Sequence, residues 1–315
     1  MYFLISLLDK LLLKLNLKQK SAIIVLSLIG FIILPLNIIV SNWFKCDRSG
    51  YYFPGDFAYN LLAGCGKNAM LFTNGDNDTF PVWYLQSVEG MRPDVVVINL
   101  SLLNTNFYVE QLQRIHHIFP DNSDVLNPDN FRPSKIDSAI VTKIVVSDSS
   151  LNSVDTIKAE YRGRNFGKIM GLLAQDKALI ELLKTNSSKR PVYFATTADT
   201  SSIVGFSTYL SGVGMIHKLM PVKSDSILPD KLEDNLLKKY RYRNFNKPVV
   251  YTDRTTNNLF NNYRYLFIQL SQYYLNNGNK EKAKEIFNSM RAKLPEWRFS
   301  EEQNRFVKEY KKGFE

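Results

Sequence analysis

At 315 residues the chain has room for one good-sized domain and a smaller companion. Its net charge of +10 would permit nucleic-acid binding, but Lys and Arg are spread along the chain with no basic-aromatic motif, so solvated surface is the reading and no nucleic-acid partner is expected. Two cysteines, Cys46 and Cys65, and three histidines, His116, His117 and His217, lack the spacing of a four-ligand zinc site.

Met1–Leu17 interleaves Leu, Ile and Phe with Lys at helical spacing, which fits an amphipathic helix at a membrane interface; a remnant of a preceding span is the alternative. Ser21–Val40 then carries no charge in twenty positions. At about 1.5 Å per residue it covers the roughly 30 Å of a bilayer's hydrocarbon core, so a transmembrane helix is predicted, with Pro35 tolerated inside it. The run is too long for a cleaved signal peptide, and Asn42-Trp43-Phe44-Lys45 offers no small-residue cleavage site. Before it, Lys10, Lys14, Lys18 and Lys20 outweigh Asp9. The positive-inside rule therefore puts residues 1–20 in the cytoplasm and the bulk of the chain outside it, on the periplasmic side of an inner membrane. There Cys46 and Cys65 could pair, or remain as two free thiols.

Trp43–Leu62 carries the chain from the bilayer surface into the next domain, with a short helix at its end. Residues 68–104 then read as one strand-loop-helix-strand unit. Ala69–Thr73 is a buried strand; Asn74-Gly75-Asp76-Asn77-Asp78-Thr79 are all turn formers or helix caps. Phe80, Trp83, Tyr84 and Val88 recur at helical spacing, mostly as core, and Gly90 ends that helix. Asp94–Leu100 is a strand of the kind buried on both faces of a parallel sheet. Such sheets collect ligands in the loops at the carboxyl ends of their strands, so the acidic loop and Asn99-Leu100-Ser101 are expected at one edge.

Asn104 or Thr105 caps a helix to about Ile118, with Phe107, Leu112 and Ile115 on one face. Ala139–Val146 and Thr156–Tyr161 read as two strands around a polar turn, and Ile169–Lys184 as a helix. Arg190–Thr196 is a third core strand ending in the polar cluster Thr196–Thr200, with Arg190 a partner for Asp94 or Asp176. Gly214–Val222 reads as a further strand and Asp230–Tyr240 as a helix. From Asn262 to Pro295 the spacing of Phe267, Leu270, Tyr274, Gly278, Ala283, Phe287 and Pro295 follows the tetratricopeptide helical hairpin. A single such hairpin cannot bury its own face and must dock on the preceding domain or on a partner. Ser300 with Gln303 is a capping box that opens one more helix. The expected class is thus α/β, with a single N-terminal transmembrane helix (21–40), a Rossmann-like, mostly parallel sheet domain (41–257) and a tetratricopeptide-like tail (258–315).

Asn42-Trp43, Asp47-Arg48-Ser49, the run Thr73-Asn74-Gly75-Asp76-Asn77-Asp78-Thr79-Phe80-Pro81, Val88-Glu89-Gly90, Asn99–Thr105 and Arg190–Ala195 together resemble a known family. The chain is similar to the C-terminal part of large bacterial multi-pass membrane proteins of unknown function, related to protein O-mannosyltransferases of the lipid-linked-sugar (GT-C) class. The resemblance implies that the sequence begins at the family's last span, and that the catalytic carboxylate, in the first extracytoplasmic loop of the preceding half, lies outside it. No family catalytic residue carries over, and Cys46 stands where members usually have His.

Asp76 and Asp78 form an Asp-x-Asp pair of hard oxygen ligands suited to Mg²⁺, Mn²⁺ or Ca²⁺. Asn74, Asn77, Thr79, Asn99, Ser101 and Asn104 are the further candidates for holding a ligand such as a sugar or glycan. A structural reading competes: Asp78 or Thr79 as helix N-cap, Asp76 closing an Asx-turn. Three functions stay open. One is an accessory or recognition ectodomain in the lipid bilayer beside a multi-pass glycosyltransferase subunit. Another is a metal-dependent, sugar-transferring enzyme, and the last is a scaffold binding proteins through its tail.

Overall fold

The structure is a computed structural model that describes residues 10, 19–127, 133–148, 153–167, 169–224 and 227–312. The amphipathic segment expected over Met1–Leu17 lies, Lys10 apart, outside these residues, as does most of the turn between the two middle strands. The chain divides into two compact units, Met1–Gly50 with Pro248–Thr252, and Tyr51–Lys247 with Asp253–Glu315.

The first unit contains α1 (Gln19–Cys46), a helix of 28 residues with Pro35 inside it. Its stretch Ser27–Cys46 has a mean hydropathy of 1.8, and among the described residues this helix alone is long and apolar enough to cross a membrane. That stretch runs further toward the C-terminus than the expected Ser21–Val40. Two of its polar side chains bond back onto the helix: Asn42 donates to the Ile38 carbonyl at 2.9 Å, and the Ser41 hydroxyl to Asn37 at 3.2 Å. The Phe44 ring meets Tyr251 of the 248–252 segment edge-on at 5.8 Å.

The second unit begins with α2 (Phe53–Gly64), β1 (Met70–Thr73), α3 (Asp76–Ser87), β2 (Val96–Asn99) and α4 (Asn106–His116). After these come β3 (Ser134–Lys135), β4 (Ile140–Asp148), β5 (Ser153–Tyr161), β6 (Arg164–Asn165), β7 (Met170–Leu172), α5 (Ala174–Asn186) and β8 (Val192–Ala195). It closes with β9 (Leu210–Gly212), β10 (Ile216–Leu219), α6 (Pro229–Asp234), α7 (Arg254–Asn276), α8 (Lys280–Lys293) and α9 (Glu301–Lys312).

The main sheet has five strands in the order β2-β1-β8-β10-β9. Three are parallel, with Met70 opposite both Val96 and Val192; β10 and β9 are antiparallel, so the sheet is mixed where a mostly parallel one was expected. Both of its faces are buried, with Met70, Phe72, Ile98 and Phe194 on one and Leu71, Val97 and Tyr193 on the other, and the Phe72 and Phe194 rings stack at 4.9 Å. The expected middle strands pair as the antiparallel ribbon β4-β5 outside this sheet.

Several sequence expectations shift, each for a local reason. The helix read over Ile169–Lys184 is strand β7 first, because Met170–Leu172 pairs with β3 and β6; α5 starts at Ala174, where Asp176 accepts the Leu173 N–H at 2.9 Å. The buried face of α4 is Tyr108, Val109 and Leu112, with Phe107 and Ile115 exposed. Its rotation is fixed by the Asn99 N–H, which donates to the Tyr108 hydroxyl at 3.0 Å. The helix read over Asp230–Tyr240 is α-helical to Asp234 and widens to a π turn over Asn235–Lys239. Asp94 and Asp176 pair with Arg92 and Arg164, not with Arg190.

The tail docks on α2 through aromatic rings. Phe245 lies 4.5 Å from Phe260 and 5.4 Å from Phe53, and Asn60 donates to the Tyr263 hydroxyl at 2.7 Å. Such ring pairs add about 0.5–1.5 kcal/mol each beyond burial. Ala283 is buried, and its carbonyl accepts the Ser271 hydroxyl at 2.7 Å, so α7 and α8 approach at a small residue. The Ser300–Gln303 capping box forms with both bonds, 3.1 and 3.2 Å.

Gly214 sits at φ +138°, and a Cβ there would lie 2.0 Å from the Tyr240 hydroxyl, itself the acceptor of the Met215 N–H. Gly214→Ala should cost about 3 kcal/mol or more, read as a lower urea midpoint. Gly55→Ala, in α2 with open space at its Cβ, should instead stabilise by about 0.5–1 kcal/mol. Equal midpoints for the two variants would contradict this packing.

Candidate functional site

β1 lies between β2 and β8, so the chain leaves β1 toward one side and later continues from β8 toward the other. That reversal opens a crevice at the carboxyl ends of β1 and β8, where open α/β sheets hold ligands. The acidic loop after β1 and the polar cluster after β8 both reach it.

Asp78 is 1% exposed there. Its Oδ2 accepts the Asn74 N–H and its Oδ1 the Gly75 N–H, both at 3.0 Å. The Thr79 hydroxyl donates to Oδ1 at 3.2 Å, and the Thr197 hydroxyl, from the segment after β8, donates to Oδ2. Gly75, the residue before α3, has no side chain with which to cap the helix, so Asp78 reaches back from the first turn. Asp78 and Thr79 are therefore not the N-cap.

Thr79, buried beside it, accepts from Asn99 Nδ2 at 2.9 Å and pairs with the Thr73 hydroxyl at 2.8 Å. Asn99 Oδ1 accepts the Leu102 N–H at 2.9 Å, and the Ser101 hydroxyl donates to the Asn74 carbonyl at 2.6 Å. Asn104 turns away toward α5, exchanging hydrogen bonds with Gln175 at 2.6 and 3.1 Å. Thr73, Asn74, Asp78, Thr79, Asn99, Ser101 and Thr197 thus form one network across the ends of three strands. Asp76 and Asn77 are exposed at its outer side.

This network turns Thr79, Val82 and Leu85 of α3 inward, leaving Phe80, Tyr84 and Val88 exposed where the helical spacing suggested core. A buried carboxylate with its donors in place outranks an apolar stripe in fixing the rotation of the helix.

An open cleft of about 510 Å³ begins at the loop, within the range of about 300–1,000 Å³ usual for small-molecule sites. One wall is Asp76, Asn77, Phe80 and Pro81; another is Tyr51 and Phe57; the third is the first turns of α7, with Thr255, Asn258 and Asn262. Asp253 caps α7 by accepting the Thr256 N–H at 2.8 Å, and the Tyr51 and Thr256 hydroxyls bond at 2.8 Å. Among the described residues no Lys, Arg or His lines the cleft. Thr197, Asn258 and Asn262 were not legible as site residues, since about 120–190 positions separate them from the loop in sequence, and Tyr51, about 25 positions before it, read as part of the connection from the bilayer surface; the Thr196–Thr200 cluster was the one hint.

Two charged pairs brace the surroundings. Arg92 holds the Asp94 carboxyl well below the usual carboxylate range, and its guanidinium donates to the carbonyls of Leu62, Cys65 and Gly66 at 2.7–2.9 Å, closing the end of α2. Asp56, fully buried, accepts the Arg243 N–H and Nε–H at 2.7 Å each. Both cysteines are free; Cys65 is buried, which pushes its thiol up to about 12. Among the described residues no group of three or more His, Cys, Asp or Glu is arranged to hold a metal ion.

The family model described as TMEM260-associated domain 2 matches residues 54–132 and 117–239, together more than half of the 315 residues. A stretch of 76 residues is 29% identical to protein O-mannosyl-transferase TMEM260 of Mus musculus, covering 24% of this chain and only 11% of that protein. No solved structure matches the chain.

Replacing Asp78 by Asn puts an amide NH₂ against the donors that now meet one of its oxygens. Asp78→Asn should cost about 2–4 kcal/mol, while the exposed Asp76→Asn should stay within about 0.5 kcal/mol of the parent. Urea titration checks both; an Asp78→Asn protein as stable as the parent would remove the network from its structural role.

Proposed function

Because the chain belongs to the TMEM260-associated domain 2 family, we propose that it is the extracytoplasmic recognition domain of an O-mannosyltransferase-like membrane system. The observation that carries this reading is the family match across the segment that builds the loop and most of the sheet, joined to an apolar helix of bilayer length at its N-terminal side. In this reading α1 anchors the chain with its N-terminus in the cytoplasm, as the Lys excess before the helix favours. The second unit works outside, beside a multi-pass glycosyltransferase subunit. Its cleft meets the sugar or glycan side of the reaction, and the tetratricopeptide-like tail braces the wall formed by α7.

The mouse protein's name gives the chemistry of that protein; the local likeness over 76 residues supports an association with such chemistry here. The scaffold reading is weaker, because the tail's aromatic face is already occupied by Phe53 and Phe245.

In sealed vesicles of known orientation, an impermeant amine reagent applied to the extracytoplasmic face should modify Lys223. Purification from native membranes should recover a multi-pass protein of the O-mannosyltransferase type along with the chain. Labelling from the cytoplasmic face only, or recovery without such a protein, would contradict the assignment.

A further inference from the structure

The cleft beside Asp76 has a lining that selects for charge. Among the described residues three Asp carboxylates border it, and no Lys, Arg or His does. Two of the carboxylates are spent within the protein. Asp78 is saturated by four donors, and Asp253 accepts the first-turn amide of α7. Only the Asp76 carboxylate is exposed and, among the described residues, without a hydrogen-bond or ion-pair partner; the side chains of Asn77, Asn258 and Asn262 are likewise unpaired. The remaining lining combines the hydroxyls of Tyr51, Thr197, Thr255 and Thr256 with apolar side chains, among them Phe80, half exposed at 52%, Pro81 and Phe57.

Building on the recognition role above, we infer that the cleft binds a neutral, hydroxyl-rich glycan and not a phosphorylated sugar donor. An anionic phosphate would meet the Asp76 charge with no cation to offset it, at a site bounded by low-dielectric rings, where like-charge contacts are most unfavourable. The matching chemistry for a neutral sugar is complete. A carboxylate accepts from two neighbouring hydroxyls in a charge-assisted pair, amides both donate and accept, and the exposed ring face offers an apolar platform for a pyranose C–H face. A cationic peptide is the lesser fit, because one free carboxylate stands among several amides and hydroxyls that have no preference for positive charge. With both Asp78 oxygens engaged, binding proceeds without a divalent cation.

The test uses the full chain in detergent micelles on an array carrying neutral glycans, their phosphorylated and sialylated counterparts, and Lys-rich peptides, with and without chelator. Neutral glycans should be retained, chelator should have no effect, and Asp76→Ala or Phe80→Ala should weaken retention about tenfold or more. Both side chains are exposed, so folding of the variants is checked independently by their urea midpoints. Preference for phosphorylated or sialylated glycans, retention of the peptides alone, abolition by chelator, no retention of any glycan, or unchanged retention by both variants would overturn the inference. A failure here leaves the membrane association to be judged by its own labelling and co-purification, and the reverse also holds.

Discussion

The carboxylate of Asp78 organises the site. Removing such a group from water costs several kcal/mol unless its oxygens are met, and here two loop amides and two hydroxyls meet them. Because those donors come from the loop after β1, the first turn of α3 and the segment after β8, one side chain fixes three pieces of backbone at once. The loop can turn sharply out of β1 only with this partner in place. Through Thr79 and Asn99 the same constraint reaches the end of β2.

From that constraint the outer geometry follows. With Asp78 and Thr79 facing in, the next residues on either side face out: Asp76 and Asn77 before, Phe80 and Tyr84 after. The loop thereby presents one free carboxylate next to an exposed ring. The opposing wall comes from α7, held against α2 by the rings of Phe53, Phe245 and Phe260 and capped by Asp253. The helical tail therefore contributes to the cleft as directly as the sheet does. Arg92 and Asp94 secure the far end of α2, so that the helix carrying Phe57 into the cleft is fixed at its own C-terminus.

The elements with a strong local signature were legible in the sequence. Met70–Thr73, Val96–Asn99 and Val192–Ala195 announced themselves as short apolar runs, and the turn residues between them placed the loop at the carboxyl edge. The capping box at Ser300 and the small Ala283 were equally readable. What failed was the choice of face. Phe80, Tyr84, Phe107 and Ile115 follow the helical period yet lie exposed, because a buried hydrogen bond at Asp78 or Tyr108, invisible to periodicity, fixes the rotation of each helix. Met170–Leu172 was hidden for a related reason: a strand that short is made by its partners β3 and β6, not by its own residues. For the site, the sequence supplied the loop but not the opposing wall. The Asp-x-Asp pattern offered two equivalent carboxylates, and the structure gives them opposite surroundings.

Asp78 holds the loop shut from within. Native-state hydrogen exchange at the individual amides reads this directly. The Asn74 and Gly75 amides, bound to the carboxylate, should exchange as slowly as those of β1, while the Asp76 and Asn77 amides, in a first helical turn without intrahelical acceptors, should exchange fast. Fast exchange at Asn74 and Gly75 in the folded protein would contradict the account at its root.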